Sequence, residues 1–384
     1  MNIIVIGAGY AGMIAALRLA GKARHQNIIL VNPSDTFVDR IRLHQWVAGE
    51  ALPTRSIPKL LRGTGIQFVQ ARVTAMDPNR RELTLQSGSE TRSLSYDQLV
   101  YALGSSVDTS LVPGIKEYAL TLNQAAEIKA KLQANPRARV LICGGGLSGI
   151  ELSSEIAEAY PQLSLTLVTR DPLGVNLSQR GHAYMLDALK RRHITVREGV
   201  TVERITADGV ETTDGQRRAA DLVIWAGSFA PSPLARESGI AVNRVGQIIV
   251  DPYLRSVSHP DVFAVGDAAA CGLRMACATA MPEGAHAADN LAALIKGQPL
   301  QPFRFGFAGR CISLGRHEGM LQWVNADDSP KESIVTGRLG AFLKELISRY
   351  PTFSLNWEYR MPGLYYWPKP AEVAALKQPS AQRA

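Results

Sequence analysis

The feature that most constrains this chain is a device that occurs twice: a β-branched run, a Gly-x-Gly-x-x-Gly turn and an apolar helix. The first copy runs from residues 2–6 through Gly7, Gly9 and Gly12 into an apolar stretch at 13–20. The second runs from residues 138–143 through Gly144, Gly146 and Gly149 into a helix beginning at Leu147. The first glycine of such a device permits a tight turn, the second lets the backbone approach a pyrophosphate, and the third lets the helix lie close to its strand. The helix N–H groups and dipole then attract the anion. A strand before and a helix after separate this device from a merely glycine-rich turn. The chain is therefore expected to be α/β, with two Rossmann-like domains holding two dinucleotides. The contacting residues are Gly7, Gly9, Tyr10, Ala11 and Gly12 in the first, and Gly144, Gly146, Leu147, Ser148 and Gly149 in the second.

An acid usually meets the ribose hydroxyls about twenty residues past the third glycine. Here those positions hold Asn32 and Thr169, and Arg170 follows the latter. Asn32 keeps hydrogen-bonding capacity toward a ribose without the charge. A missing carboxylate beside a guanidinium favours a 2′-phosphate, so NADPH is expected ahead of NADH at the second site.

Between and after the devices, the chain supplies further strand endings. Residues 36–49 place Arg42 and His44 among alternating apolar positions; Arg42 reads either as a cation near a cofactor or as an ordinary surface arginine, and His44 alone as structural. Short strands with turns fill 64–100 and include Val73. Two similar endings follow, YALGSS at 101–106 with Ala102 and Gly104, and VIWAGS at 223–228 with Gly227. Paired strand-glycine endings of this kind suit crossings between two nucleotide-binding domains. VFAVGD at 262–267 delivers Gly266 for close backbone approach and Asp267 as a hydroxyl acceptor.

Composition excludes several classes. With 384 residues, 46% hydrophobic and 20% charged, the chain suits a soluble globular protein of two to three domains. The net charge of +8 is spread along the chain, which argues against a nucleic-acid partner and suits a phosphorylated cofactor or an anionic membrane surface. The first twenty residues lack the basic start of a signal peptide, and no apolar run is long enough to span a bilayer. A cytoplasmic location follows, with peripheral membrane contact compatible. Cys143, Cys271, Cys277 and Cys311 show no C-x-x-C spacing, so neither a metal site nor a redox dithiol is expected.

GAGYAG, YALGS, GGGLSGIE, VFAVGD and the stretch MPEGAHAADNLAALIKG together resemble the two-dinucleotide-binding flavoprotein reductases. The last quarter is most similar to AIF-like NAD(P)H:quinone reductases of the ferroptosis-suppressor type, and more distantly to type II NADH dehydrogenases. The resemblance implies FAD in the first site, NAD(P)H in the second, and the flavin between them. Carried over, Gly7, Gly9, Gly12, Asn32 and Asp267 would hold FAD, with Arg42, Val73, Ala102, Gly104 and Gly266 lining it. Ala280 and Met281 would open the helix that approaches the isoalloxazine. Gly144, Gly146, Gly149, Thr169, Arg170 and Gly227 would serve the nicotinamide dinucleotide, and Glu151 is the catalytic candidate near the reacting rings. The domain pattern implied is an FAD domain from 1–117 and 246–308, an inserted NAD(P)H domain from 118–245, and a C-terminal cap from 309–384. Sulfide:quinone reductases resemble this pattern too, but use positioned cysteines.

From Leu339 the apolar residues Phe342, Leu343, Leu346, Ile347 and Tyr350 form a helical stripe, with Lys344, Glu345, Ser348 and Arg349 between them. Phe353, Trp357, Tyr359, Tyr365, Tyr366 and Trp367 follow. The stripe would line a quinone site, dip into lipid, pack on the body of the protein, or join a homodimer. Residues 368–384 read as a loose tail. The expected activity is NAD(P)H:quinone reduction; the alternatives are a soluble reductase of a small redox protein or biosynthetic intermediate, and an AIF-like NAD(P)H-sensing interaction flavoprotein.

Overall fold

The computed structural model describes residues 1–370. The expected tail lies outside the described residues from 371 onward. Ile3, Ile4, Val5 and Ile6 have no exposed surface, as befits a strand covered on both faces. This strand, Asn2–Ile6, is the centre of a five-stranded parallel sheet in the order Val262–Ala264, Gln98–Tyr101, Asn2–Ile6, Asn27–Asn32, Gln67–Gln70. Helix α1, Tyr10–Lys22, returns the chain between the two strands Asn2–Ile6 and Asn27–Asn32. Residues 36–49 are not an alternating strand. After the two-residue strand Thr36–Phe37 they form a 3-10 turn, Arg40–Arg42, and a short helix α2, Leu43–Val47.

The same arrangement recurs in the chain inserted between Gln98–Tyr101 and Val262–Ala264. A second parallel sheet runs Ala119–Thr121, Leu222–Trp225, Arg139–Cys143, Ser164–Val168, Thr195–Arg197. Its glycine-ending strand is again central and leads into helix α3, Leu147–Ala159. In each sheet the chain leaves this central strand toward one edge and later returns on its other side, which opens a crevice at the strand's carboxyl end. The two units are stitched together by an antiparallel pair, Ser105–Val107 with Phe229–Pro231. The first of these segments begins within YALGSS and the second directly follows VIWAGS, so the chain passes between the two sheets at these endings.

Helix α4, Cys277–Ile295, lies on α1 at very close range. A Cβ built on Gly284 would sit 2.2 Å from the Ala11 carbonyl oxygen, so only a bare backbone fits there. A three-stranded antiparallel sheet, Gly309–Ser313, Gly319–Val324 and Pro330–Thr336, then leads into helix α5, Gly337–Trp357. The end of this segment is clamped to the first unit by Arg18 of α1. Arg18 is buried; it donates Nε to Glu358 at 2.5 Å, one Nη to Asp289 at 3.1 Å and the other to the Tyr365 carbonyl at 2.7 Å. Glu358 also accepts the N–H groups of Gly363 and Tyr365, which satisfies the buried carboxylate.

Helix α5 is turned opposite to an ordinary surface helix. Lys344, Ser348, Thr352, Ser354 and Glu358 at its end are buried, whereas Leu339 (59%), Phe342 (58%), Leu346 (50%) and Phe353 (55%) are exposed. The apolar stripe therefore does not pack on the body of this chain. Of the aromatics that follow, Trp357 and Tyr366 face outward while Tyr365 and Trp367 are buried and stack 6.2 Å apart.

Glu283 on α4 is buried and accepts the Gly266 N–H at 2.7 Å and the Cys271 thiol at 3.1 Å. Burial pushes its carboxyl up to about 8, with the two hydrogen bonds working against the shift. Between its ordinary value of 4.5 and about 8 the folded chain holds a proton that the unfolded chain releases. Stability contributed by this group is therefore present at low pH and is lost as pH rises through that window. Glu283→Gln, which keeps an acceptor for the Gly266 N–H and turns the Cys271 sulfur from donor to acceptor, is expected to flatten that decline when the thermal midpoint is followed from about pH 5 to pH 9.

Candidate functional site

Both glycine devices have the same geometry. Gly7 and Gly144 turn at φ +94 and +124, and a Cβ on Gly12 or Gly149 would lie 1.9 Å from the carbonyl oxygen of Gly7 or Gly144. Each helix is thus seated on the turn that precedes it. A Cβ on Gly9 or Gly146 would instead meet nothing within 4 Å. These two glycines cap α1 and α3 without any side-chain hydrogen bond and with no acid in the first turn. The first-turn N–H groups at Tyr10, Ala11 and Gly12, and at Leu147, Ser148 and Gly149, have no acceptor within their own helix and lie at the positive end of its dipole, which fits a pyrophosphate at each.

The neighbouring strand ends close around the turns. Gly7 abuts Ala102, with 2.4 Å from its built Cβ to the carbonyl oxygen, and Gly144 abuts Gly227 in the same way at 2.6 Å from the amide nitrogen. Gly104 turns beside them with nothing within 4 Å of a Cβ, and Gly266 packs against Ala11 and Ala280. Asp267 accepts the Ser105 hydroxyl at 2.6 Å, so one of its oxygens is already oriented. Asn32 accepts the Ala8 N–H at 3.0 Å and donates to the Ser34 carbonyl at 2.7 Å, bracing the first turn as well as facing outward. Met281 is wholly buried, and Val73 is half-buried in the strand Arg72–Asp77.

Two sequence-level readings change. Arg42 is not a free surface cation: it is buried, donates Nε to Gln45 at 2.8 Å and is ion-paired to Glu345 of α5 at 2.8 Å. Arg170 is exposed, but its guanidinium is held 3.0 Å from Asp171, the acid that a count to Thr169 stops short of. Thr169 itself is buried and donates to the Asp171 carbonyl at 2.8 Å. The guanidinium expected to attract a 2′-phosphate is therefore already matched by an adjacent carboxylate.

Glu151 sits in a buried ionic cluster formed where α2, α3, the strand Gly309–Ser313 and α5 meet. Its carboxylate is 2.7 Å from the Lys344 ammonium and accepts the Ser313 N–H at 3.0 Å. Burial opposes its ionisation, but Lys344 and the Ser313 hydrogen bond bring it below the ordinary carboxylate range. Lys344 behaves in mirror image: burial disfavours its charge and the Glu151 carboxylate more than restores it, so it is held above the ordinary lysine range. His44 lies 3.9 Å from both Glu151 and Glu155 and is kept neutral, lowered to about 4 mainly by burial. Cys277, at the start of α4, and Cys311 share this environment; both are free thiols raised by burial, with Lys344 acting against the shift. Neither is a thiolate poised for attack. Lys344 and Glu155 were missed from sequence, where Lys344 reads as the solvated side of an amphipathic helix.

Residues 1–290 match the family model of the pyridine nucleotide-disulphide oxidoreductases. The chain belongs to that family. It is an oxidoreductase working with FAD and a nicotinamide dinucleotide. Among curated relatives it is 29% identical to an NADH dehydrogenase-like protein of Mycobacterium tuberculosis, over 88% of this chain and 94% of that one. It is also 29% identical to a demethylphylloquinone reductase of a Synechocystis species, over 94% and 96%. In fold it is similar to NDH2 of Plasmodium falciparum, with a TM-score of 0.80, 15% identity and coverage of 94% and 98%.

Two outcomes test the site as built. Gly9→Val is expected to leave the polypeptide folded, because the added atoms enter open space, but to lower bound flavin per chain severalfold by visible absorbance. Lys344→Met leaves a buried carboxylate unpaired and is expected to cost about 3–5 kcal/mol in chemical denaturation. Adding Glu151→Gln to it should recover most of that loss, since the stranded charge is then gone.

Proposed function

We propose that this oxidoreductase carries reducing equivalents from NAD(P)H to a quinone, with FAD held by the first glycine device and the nicotinamide dinucleotide by the second. The observation that carries the reading is the Lys344–Glu151 pair, 2.7 Å apart and buried beside the start of α4. When bound, FAD supplies two-electron chemistry, taking a hydride from the nicotinamide and releasing electrons to the acceptor. The geometry supports these residue assignments. Gly7, Gly9, Tyr10, Ala11 and Gly12 would present backbone N–H groups to the FAD pyrophosphate, Asn32 would serve its ribose, and Asp267, oriented by Ser105, would accept from its ribityl chain. Gly144 to Gly149 do the same for the second dinucleotide. A quinone gaining electrons develops negative charge on its oxygens. The Lys344 ammonium offsets that charge, and Glu151 holds that ammonium in place when no acceptor is present. The relatives named as quinone or demethylphylloquinone reductases support this acceptor class.

The domain limits that fit this reading are 1–117 with 246–308 for FAD, 118–245 for NAD(P)H and 309–384 for the acceptor region. The Arg170–Asp171 pair makes discrimination by charge weak, so NADH is expected to serve at least as well as NADPH. Among the described residues no helix is long and apolar enough to cross a membrane. The outward face of α5 is then the membrane-contacting surface, a helix lying in the interface with its apolar side in lipid. Its flanking cations favour lipid over a second copy: Arg338, Arg360 and Lys369 are exposed around the stripe, and a two-fold contact would set like charges against each other.

Rapid mixing of the flavin-loaded protein with NADH, then with a soluble ubiquinone or menaquinone analogue, resolves the two half-reactions. Flavin bleaching and quinone-driven return are both expected to be fast. Lys344→Met combined with Glu151→Gln, which removes the ammonium without stranding a carboxylate, should slow the return by about 100-fold, the scale for losing one positioned donor to a developing negative charge, while bleaching changes little. Fast bleaching without return on any quinone would remove the acceptor assignment. Arg170→Ala is expected to change the NADPH and NADH Michaelis constants by similar factors.

A further inference from the structure

A cavity of about 410 Å³ opens where the end of α5 meets α1 and the segment 54–64, away from both glycine turns. Its lining includes Arg55, Lys59, Arg62 and Arg360, with Leu355 and Asn356 from α5, and it contains no acidic residue. Elsewhere the arginines of this protein are heavily paired, including Arg18, Arg42, Arg192, Arg310 and Arg316. Among the described residues none of these four cations is in an ion pair; Asp39 acts on Arg55 at longer range, and the buried Nε of Arg55 has no hydrogen-bond partner. Four cations around one hollow repel each other and are stabilised by an anion entering it.

The cavity is continuous with the exposed apolar face of α5. Leu355 and Asn356 line it, while Phe353 and Trp357 in the same turn, and Met361 beyond, point outward. The Arg360 guanidinium bridges the two surfaces, lying 5.9 Å from the centre of the Trp357 ring. An occupant that satisfies both must carry an anionic group at one end and apolar chains at the other.

We propose that this cavity is a headgroup site for an anionic phospholipid, whose phosphate lies among Arg55, Lys59, Arg62 and Arg360 while its acyl chains run along Phe353 and Trp357. The proposal rests on the reading of α5 as the membrane-contacting surface and adds to it a lipid-class preference. The site fixes the depth and rotation of the protein on the bilayer, which an apolar stripe alone leaves free.

The test is flotation of the full-length, flavin-loaded protein with phosphatidylcholine vesicles and with vesicles in which part of the phosphatidylcholine is replaced by phosphatidylglycerol. The wild type is expected to partition more strongly onto the anionic vesicles. Lys59→Gln with Arg62→Gln should remove most of that preference, at roughly fivefold for each cation lost, and keep binding to neutral vesicles. Lys131→Gln with Arg137→Gln removes the same charge from two exposed residues outside any ion pair on the inserted unit, and should keep the preference. Equal loss in both double variants, equal binding of the wild type to both vesicles, or an unchanged preference in the Lys59/Arg62 variant overturns the headgroup site. Stabilisation by inorganic phosphate alone, lost in the Lys59/Arg62 variant and undiminished by vesicles, assigns the cavity to a soluble phosphate and overturns the lipid. Phe353→Ser with Trp357→Ser tests the underlying reading: flotation as strong as the wild type shows that α5 does not contact lipid, and both then fall.

Discussion

The structure depends on how closely a helix can be brought to the end of a strand. At Gly12 and again at Gly149 the space for a side chain is already taken by the carbonyl oxygen of the turn. That contact aims a helix N-terminus at the carboxyl end of its sheet and leaves Gly9 and Gly146 bare toward the crevice. Everything else positions itself from these two points. The strand endings at Ala102 and Gly227 pack on the turns, α4 reaches the first turn through Gly284 and Ala11, and the crossings stitch one unit to the other.

On this frame a buried charge cluster is held together by long-range ion pairs. Lys344 comes from the last helix, Glu151 from the second dinucleotide-binding unit, and Arg42 from the first, which meets Glu345 one residue from Lys344. Each of these charges is costly to bury alone and tolerable only when the others arrive. The C-terminal region is thus held by charges whose partners lie far apart in sequence. Its integrity reports on the packing of three parts of the chain at once.

Much of this was legible in the sequence, for a physical reason: backbone demands leave compositional marks. Only glycine fits at Gly7, Gly12, Gly144 and Gly149, so both devices, their strands and the crossings at YALGSS and VIWAGS could be read directly. Side-chain partnerships leave no such mark. Arg42 read equally well as exposed because Glu345 lies three hundred residues away. Asp171 escaped because a fixed count stops at Thr169, while the strand end curls to bring the next acid onto Arg170. Periodicity gave the two faces of α5 correctly but not which one meets the protein, since an amphipathic helix in isolation does not say which solvent each face will see.

The polar inner face and apolar outer face of α5 make it a lever with two handles. Phe342 and Leu346 lie outside, Lys344 and Ser348 inside, on consecutive turns of one rigid rod. Because both rows belong to one helix, whatever fixes the outer row also fixes the position of the ammonium that faces Glu151.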